Sequence, residues 1–313
     1  MRVFLASVLL FLTLFIQAQD KKYAVVVHGG AGNFNSADFP EEVRNDYNTF
    51  FNNLMLYADS LASSGAFAID IVEAVIVKME DNPMFNSGKG AVLNAEGKAE
   101  LDASIMDGRD LNAGAVAGVT EIKNPIKAAR MVMDSSAHVM LSGEGANTFA
   151  RQQGMEMVDN KYFLTQKMID RYKEYMHDKH GTVGCVVLDI YGNLAAGTST
   201  GGMMMKKWGR IGDSPVIGAG TYADNRYAAV SCTGHGEYFI RNAVAYDVIA
   251  RMKYAGQSLE EAVNEIIMEV LVQQDANGGL ISVDKNGNIV CKMNTTGMFR
   301  AWVTENHEIV IEF

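Results

Sequence analysis

The chain has 313 residues, 48% hydrophobic and 20% charged, with a formal net charge of −10. That composition excludes a disordered or fibrous chain, and its length allows a large core without disulfide staples. A net negative charge with no basic stripe argues against nucleic acid and anionic membrane surfaces as partners.

Met1-Arg2 gives a positive start, and Val3 to Ile16 is apolar except for Ser7 and Thr13. Gln17-Ala18 and then polar Gln19 to Lys22 follow. This reads as a secretory signal peptide over 1–18, because fourteen residues are short for a span of about twenty. The expected location is exported, periplasmic or secreted. Cys185, Cys232 and Cys291 form an odd set in strand-like runs, so they read as buried thiols.

Residues 23–28 read as a strand ending at a Gly-rich turn, HGGAGN. Pro40-Glu41-Glu42 opens a helix over 40–64. Ile69, Val72, Val75, Ile76 and Met79 recur at helical spacing over 68–80. Asp81 to Gly108 reads as a long irregular run, followed by helix-like stretches at 124–133, 139–153 and 164–177. TVGCVVLDI, YGN and LAAGTST then form a β-hairpin pattern, and 228–233 is a further strand. Helices are expected at 236–254 and 258–274, before strands in LISVD, NIVCKM, FRAWVT and EIVIEF. Strands at both ends with helices between them suggest one layered sheet-plus-helix domain.

Three patterns compete for the chemistry. Gly197-Thr198-Ser199-Thr200-Gly201 fits a nucleophile elbow, but an elbow needs a helix directly after the Ser, and Gly201-Gly202 follows here. His177-Asp178-Lys179-His180 spaces two imidazoles like metal ligands, with no third ligand pattern beside them. Met203-Met204-Met205 has no Cys nearby and reads as loop packing.

Gly181-Thr182 is different. A cut before Thr182 would give it an α-amine with a pKa of about 8, in reach of its own hydroxyl. One residue would then supply both nucleophile and base. Gly181 removes bulk at the cut and permits unusual backbone angles.

HGTVGCVVLD around this bond resembles the activation site of plant-type asparaginases, or isoaspartyl peptidases, of the N-terminal-nucleophile hydrolase group. VVVHGGAGN at 25–33, NPMFNSGKGAVLN at 82–94, ELDASIMDG at 100–108, GNLAAGTSTGG at 192–202, GRIGDSPVIGAGTYAD at 209–224 and CTGHGEYFIR at 232–241 continue the likeness in order. The resemblance implies an α+β fold, a four-layer αββα sandwich, with self-cleavage between Gly181 and Thr182. It implies an α subunit of 19–181, a β subunit of 182–313 and a dimer of such αβ pairs. Thr182 would be the nucleophile and Thr200 a hydroxyl bonded to it. Thr233 and Gly234 would form the oxyanion hole, with His235 and Gly236 in the same loop. Arg210 and Asp213, with Ile211 and Gly212 between them, would clamp the substrate's α-carboxylate and α-ammonium, and Asn86 would orient the site. The backbone carbonyls of Met79, Glu80, Asn82, Phe85, Ser87 and Lys89 would hold a structural sodium ion, with no cofactor for catalysis. The implied substrates are small molecules, asparagine and β-aspartyl dipeptides, with no nucleic-acid partner and no membrane contact once the signal is removed. Alternatives are a glycosylasparaginase-like amidase of the same fold, though that group has Asp where this chain has Gly181, and an exported binding protein that never matures.

Overall fold

The computed structural model describes residues 22–35, 37, 39–174 and 181–313. The signal-peptide reading of 1–18 and the His177 to His180 cluster lie outside these residues.

Among the described residues the strands form two sheets. The first contains β1 (Ala24–Gly32), β2 (Leu101–Asp107), β3 (Ala113–Val119), β4 (Met140–Ser142), β5 (Val183–Leu188), β6 (Leu194–Thr200), β11 (Gly297–Thr304) and β12 (Ile309–Glu312). Their order is β12-β11-β1-β5-β6-β2-β3-β4. The second has the order β10-β9-β8-β7, from β7 (Thr221–Ala223), β8 (Ala228–Gly234), β9 (Gly278–Asp284) and β10 (Ile289–Met293). Pairing is antiparallel except between β3 and β4.

Strand period places alternate side chains on opposite faces, and the core divides accordingly. In β1, Val25 and Val27 face helices α1 (Glu41–Ser63), α2 (Ala68–Glu80) and α3 (Pro125–Ser135), against Phe51, Val72, Ile76 and Ile126. Ala24 and Val26 face the other sheet, joining Val186, Leu194, Ala229, Ile281 and Val283. In β8, Val230 and Cys232 turn outward to α7 (Val244–Ala250) and α8 (Leu259–Glu265), against Val248, Ile249, Val263 and Ile267. Covered on both faces, β2, β5, β6 and β9 are buried along their whole length. Cys185 and Cys232 are buried thiols as expected, whereas Cys291, in the outer strand β10, is only half-buried.

Several expectations are corrected. The run 81–108 is not irregular to its end, because β2 occupies 101–107 between β6 and β3. Asp102 and Ser104 disguise it in sequence, and distant groups satisfy them: Gly118 N–H donates to Asp102, and Ser104 donates to the Ser214 carbonyl. Residues 113–119 form β3, and β7 was not anticipated. The stretch 139–153 splits into β4 and α4 (Gly143–Gln152), since Gly143 and Gly145 weaken helix there and Met140 pairs with Ala115. Of the stretch 164–177, the described residues form α5 (Gln166–Glu174), and a 3-10 turn at 160–163 comes just before it. The expected helix 236–254 breaks between α6 (Gly236–Arg241) and α7, where Ala243 adopts φ 47°. Asn242 Nδ2 donates to the Tyr238 carbonyl, a local side-chain bond that competes with helix continuation. The last expected helix, 258–274, passes into a π turn at 266–270 and a 3-10 turn at 272–274.

Candidate active site

Thr182 directly precedes β5, where that strand pairs with β1 on one side and β6 on the other. The pairing sets Thr182 beside Thr200 at the end of β6. Thr182 is buried, and its Oγ1 donates to Thr200 Oγ1 at 3.1 Å. Thr200 Oγ1 donates in turn to the Gly181 carbonyl at 3.1 Å and accepts from Gly202 N–H at 2.9 Å. Asn86 Nδ2 also donates to the Gly181 carbonyl, at 2.7 Å, and to the Gly202 carbonyl, at 2.8 Å. The Gly181 carbonyl thus accepts two side-chain hydrogen bonds while the Thr182 hydroxyl lies on the next residue. Such donors stabilise negative charge on a carbonyl oxygen under attack.

The turn after His28 closes the site from the other side. Gly30 has φ 107°, and a Cβ there would lie 2.9 Å from Gly181 Cα and 3.2 Å from Thr182 N. Only glycine permits that approach. His28 is fully buried, with Nδ1 3.0 Å from the Thr182 carbonyl and Nε2 3.1 Å from Ser231 Oγ. Burial pushes its pKa down to about 3, so the ring is neutral. The carbonyl can only accept, which places the proton on Nδ1 and leaves Nε2 to accept from Ser231. This ring fixes the backbone of Thr182.

The two loops expected to clamp substrate meet beside β8. Arg210 Nε and Nη2 donate to Glu237 Oε1 and Oε2, both at 2.9 Å. Asp213 is buried, and its Oδ2 has no hydrogen-bond partner. Burial raises its pKa to about 7, and the Arg210 guanidinium offsets only part of that rise. A surface ion pair between Arg210 and Asp213 is therefore not what forms. A buried, unpartnered carboxylate oxygen beside a guanidinium suits a zwitterion, with a cation for Asp213 and a carboxylate for Arg210. Gly236 lies between them: a Cβ there would be 2.9 Å from Arg210 Nη2 and 2.9 Å from Asp213 Oδ1. Ile211 is exposed and Gly212 packs under the Arg210 guanidinium. His235 stands at the N-cap position of α6, with no capping hydrogen bond from its side chain. Thr233 is buried, and its Oγ1 accepts from Ala31 N–H at 3.3 Å, tying it to the turn that touches Gly181.

Glu237 and His28 were not anticipated as site residues. Both lie inside quoted motifs, TGHGEYFIR and VVVHGGAGN, but only the fold turns Glu237 toward Arg210 and His28 toward Thr182. Lys206 was missed as well. It is buried with Nζ 2.8 Å from the Glu100 carbonyl and 3.6 Å from Asp102, which secures the 201–209 loop to β2.

The Met79 to Lys89 segment leaves α2 as a tight loop. Glu80 O and Asn82 O each accept one backbone N–H, leaving a lone pair on each, whereas Met79 O faces the N–H groups of both Asp81 and Asn82. A Cβ at Gly90 would lie 2.7 Å from Pro83 O and 2.8 Å from Phe85 O, so carbonyl oxygens converge there. Hard oxygen donors of this kind fit an alkali cation. No group of three or more His, Cys, Asp and Glu that could hold a metal occurs among the described residues. The loop is tied to β6 by Ser87 Oγ, 2.8 Å from Ser199 Oγ, which donates to Glu80 Oε1 at 2.7 Å. Ser199 is thereby buried and used, and no helix follows it, so the nucleophile-elbow pattern has no counterpart. Met204 packs against the main core.

A family model described as Asparaginase matches residues 21–178 and 171–311. The chain is 44% identical to the isoaspartyl peptidase of Escherichia coli (strain K12), covering 90% of this chain and 92% of the relative. It is 42% identical to a probable isoaspartyl peptidase/L-asparaginase 2 of Arabidopsis thaliana, covering 91% and 96%. It is 41% identical to the isoaspartyl peptidase/L-asparaginase of Homo sapiens, covering 88% and 91%.

Proposed function

The chain belongs to the asparaginase family, and from that premise we propose that it hydrolyses the β-amide linkage of aspartate in isoaspartyl dipeptides and L-asparagine. The observation that carries this reading is the bonded set Thr182, Thr200, Asn86 and the Gly181 carbonyl.

In the proposed activation, Thr182 Oγ1 attacks the Gly181 carbonyl carbon, and Asn86 and Thr200 hold the charge that develops on its oxygen. The C–N bond breaks, an ester forms, and water releases it. The products are an α subunit ending at Gly181 and a β subunit beginning at Thr182 with an α-amine. In the mature enzyme that amine takes the Thr182 hydroxyl proton. Oγ1 then bonds to the substrate's amide carbon, the carbon–nitrogen bond breaks, and the amine passes the proton to the leaving nitrogen. Thr233 Oγ1 and the Gly234 N–H stabilise the oxyanion. Water hydrolyses the β-aspartyl ester and frees aspartate. Arg210 and Asp213 read the α-carboxylate and α-ammonium, which Asp213's open buried oxygen supports.

The layered packing supports a four-layer αββα order, because helices cover the outer face of each sheet and a third core lies between the sheets. The converging carbonyls after α2 support a structural sodium ion, whose bound charge would hold that loop in shape. Export through the 1–18 leader and a dimer of αβ pairs complete the proposal. Thr182→Ala should remain one chain and release no aspartate from asparagine or β-Asp-Leu, while Thr182→Ser should be cut slowly. Normal processing of Thr182→Ala on a denaturing gel would remove Thr182 from the nucleophile's role.

A further inference from the structure

A row of polar side chains zigzags between the two sheets, from Thr182 to the turn that carries Asp213. His28 (β1), Ser231 (β8), Thr198 (β6), Thr221 (β7) and Ser104 (β2) compose it, and all five are fully buried. Ser231 Oγ lies 3.1 Å from His28 Nε2 and 2.7 Å from Thr198 Oγ1, which accepts from Thr221 Oγ1 at 2.6 Å. Ser104 Oγ lies 2.8 Å from Thr221 Oγ1 and 2.6 Å from the Ser214 carbonyl. One end of the row is thus the Thr182 carbonyl, bonded by His28, and the other is the residue after Asp213. Glycines leave room for it. A Cβ at Gly184 would lie 2.1 Å from Ser231 Oγ and 2.2 Å from His28 Nε2, and one at Gly220 would lie 2.6 Å from Asp213 O.

The row is one hydrogen short. Both ends are carbonyls, which only accept. Six links join them, and the five groups between carry one hydrogen each, His28 being neutral. With His28 donating to Thr182, Ser231 must donate to His28, Thr198 to Ser231 and Thr221 to Thr198. Ser104 then has one hydrogen for two acceptors. The Gly197 and Gly220 carbonyls, each 3.2 Å from a hydroxyl of the row, add acceptors and no hydrogen. The flanking residues of this layer, Val26, Met106, Ala196, Ala223 and Ala229, are all apolar. A buried link without its hydrogen is destabilising, and local rules are broken in this way chiefly at functional sites.

The reaction supplies the function. A substrate held by its ammonium at Asp213 presents its amide carbon at a fixed bonded distance, so Thr182 must stand at a matching reach. A misplacement of about 1 Å can lower the rate about 10²-fold. Self-cleavage makes no such demand, because Gly181 is joined to Thr182 and Asp213 takes no part. We propose that Ser231, Thr198, Thr221 and Ser104 are positioning residues that set this reach, tying the turn of Asp213 to the backbone of Thr182. The inference rests on the proposed hydrolase reading.

Thr221→Val tests it, because it removes two links and one hydrogen and leaves every remaining link with a hydrogen. Its thermal midpoint should be no lower than that of the wild type, and timed gels should show an unchanged rate of self-cleavage. On asparagine, kcat should fall about 10- to 100-fold with KM little changed, since the clamp still binds but the amide carbon is off target. Thr198→Val, which leaves the same balance of links and hydrogens, should repeat this result. Thr221→Ser, which keeps the hydroxyl, should recover most of kcat. Wild-type kcat in both valine variants overturns the proposal and leaves the hydrolase reading intact. Equal slowing of self-cleavage and turnover, with a lower thermal midpoint, also overturns it, since the row would then serve the fold alone. Failure of the mature wild-type protein to hydrolyse asparagine or β-Asp-Leu overturns the hydrolase reading and the proposal together.

Discussion

Asn86 uses both amide hydrogens and its oxygen at once, holding the Gly181 carbonyl, the Gly202 carbonyl and Val92 N–H. Removing one donor from a developing oxyanion costs about 10²- to 10³-fold in rate. Asn86→Ala should therefore slow conversion to two chains by about that factor, measured by densitometry of timed gels; an unchanged rate would deny it the role. Arg210 presents a different case, because its guanidinium is already paired with Glu237. A substrate carboxylate must share or displace that partner. Arg210→Ala should lower kcat/KM on asparagine about 10- to 150-fold, the loss of a charge-assisted hydrogen bond, with Arg210→Lys recovering part. N-acetyl-asparagine, which has no ammonium for Asp213, should be nearly inert. Asp213 adds a pH dependence. Its folded pKa of about 7 lies above the ordinary 3.8, so its protonated fraction grows as pH falls through 7. Only the ionised form can hold an ammonium, so kcat/KM should decline below pH 7, and Asp213→Asn should be weak without that limb. The same shift makes the carboxyl's stabilising contribution complete below pH 3.8 and lost as pH rises through 7. Asp213→Asn should therefore gain thermal stability relative to wild type at pH 8; a loss there would contradict the assignment.

Elements read best from sequence where their partners are local. α2 and the β5–β6 hairpin follow apolar spacing and an Asx/Gly turn, and both formed where expected. β2 was hidden because Asp102, Ser104 and Asp107 break the apolar pattern, and Gly118 and Ser214, the partners of the first two, are brought to them by the fold. The break at Ala243 was hidden for a related reason: amphipathic spacing continues through it, while Ala243 turns left-handed and the Asn242 side chain bonds to Tyr238 and Gln274. In the site, Thr182 and Thr200 were legible as motif members, but the bond from Thr200 to the Gly181 carbonyl required β5 and β6 to be in register. Glu237 gave no signal apart from its motif. One local device can be tested alone. Ser258 Oγ accepts from Glu261 N–H, and Glu261 Oε2 accepts from Ser258 N–H, forming a capping box for α8. Ser258→Ala should cost about 1 kcal/mol in unfolding free energy by denaturant titration, without changing hydrolysis. A loss of several kcal/mol would show that α8 depends on more than its cap.

Across the whole molecule, the site lies where the two sheets and the post-α2 loop meet. β1 brings His28 and Gly30, β5 and β6 bring Thr182 and Thr200, and β8 brings Ser231 and Thr233. His28 joins the sheets through Ser231 and stays neutral in its buried place. Its folded pKa of about 3 lies below the ordinary 6.5, so its stabilising contribution is complete above pH 6.5 and is lost as pH falls toward 3. Thermal unfolding followed from pH 7 to 4 should show falling stability, and His28→Gln should flatten part of that fall. The same convergence places the Thr182 hydroxyl beside a Gly181 carbonyl that accepts two side-chain hydrogen bonds, and the proposed cut between them would add an α-amine to Thr182. Intact mass measurement of the purified protein, with N-terminal sequencing of its smaller piece, tests it most directly. The account predicts two polypeptides, the smaller running from Thr182 to Phe313 and beginning Thr-Val-Gly-Cys. A single uncut polypeptide in active protein, or a smaller piece beginning at any other residue, would contradict it.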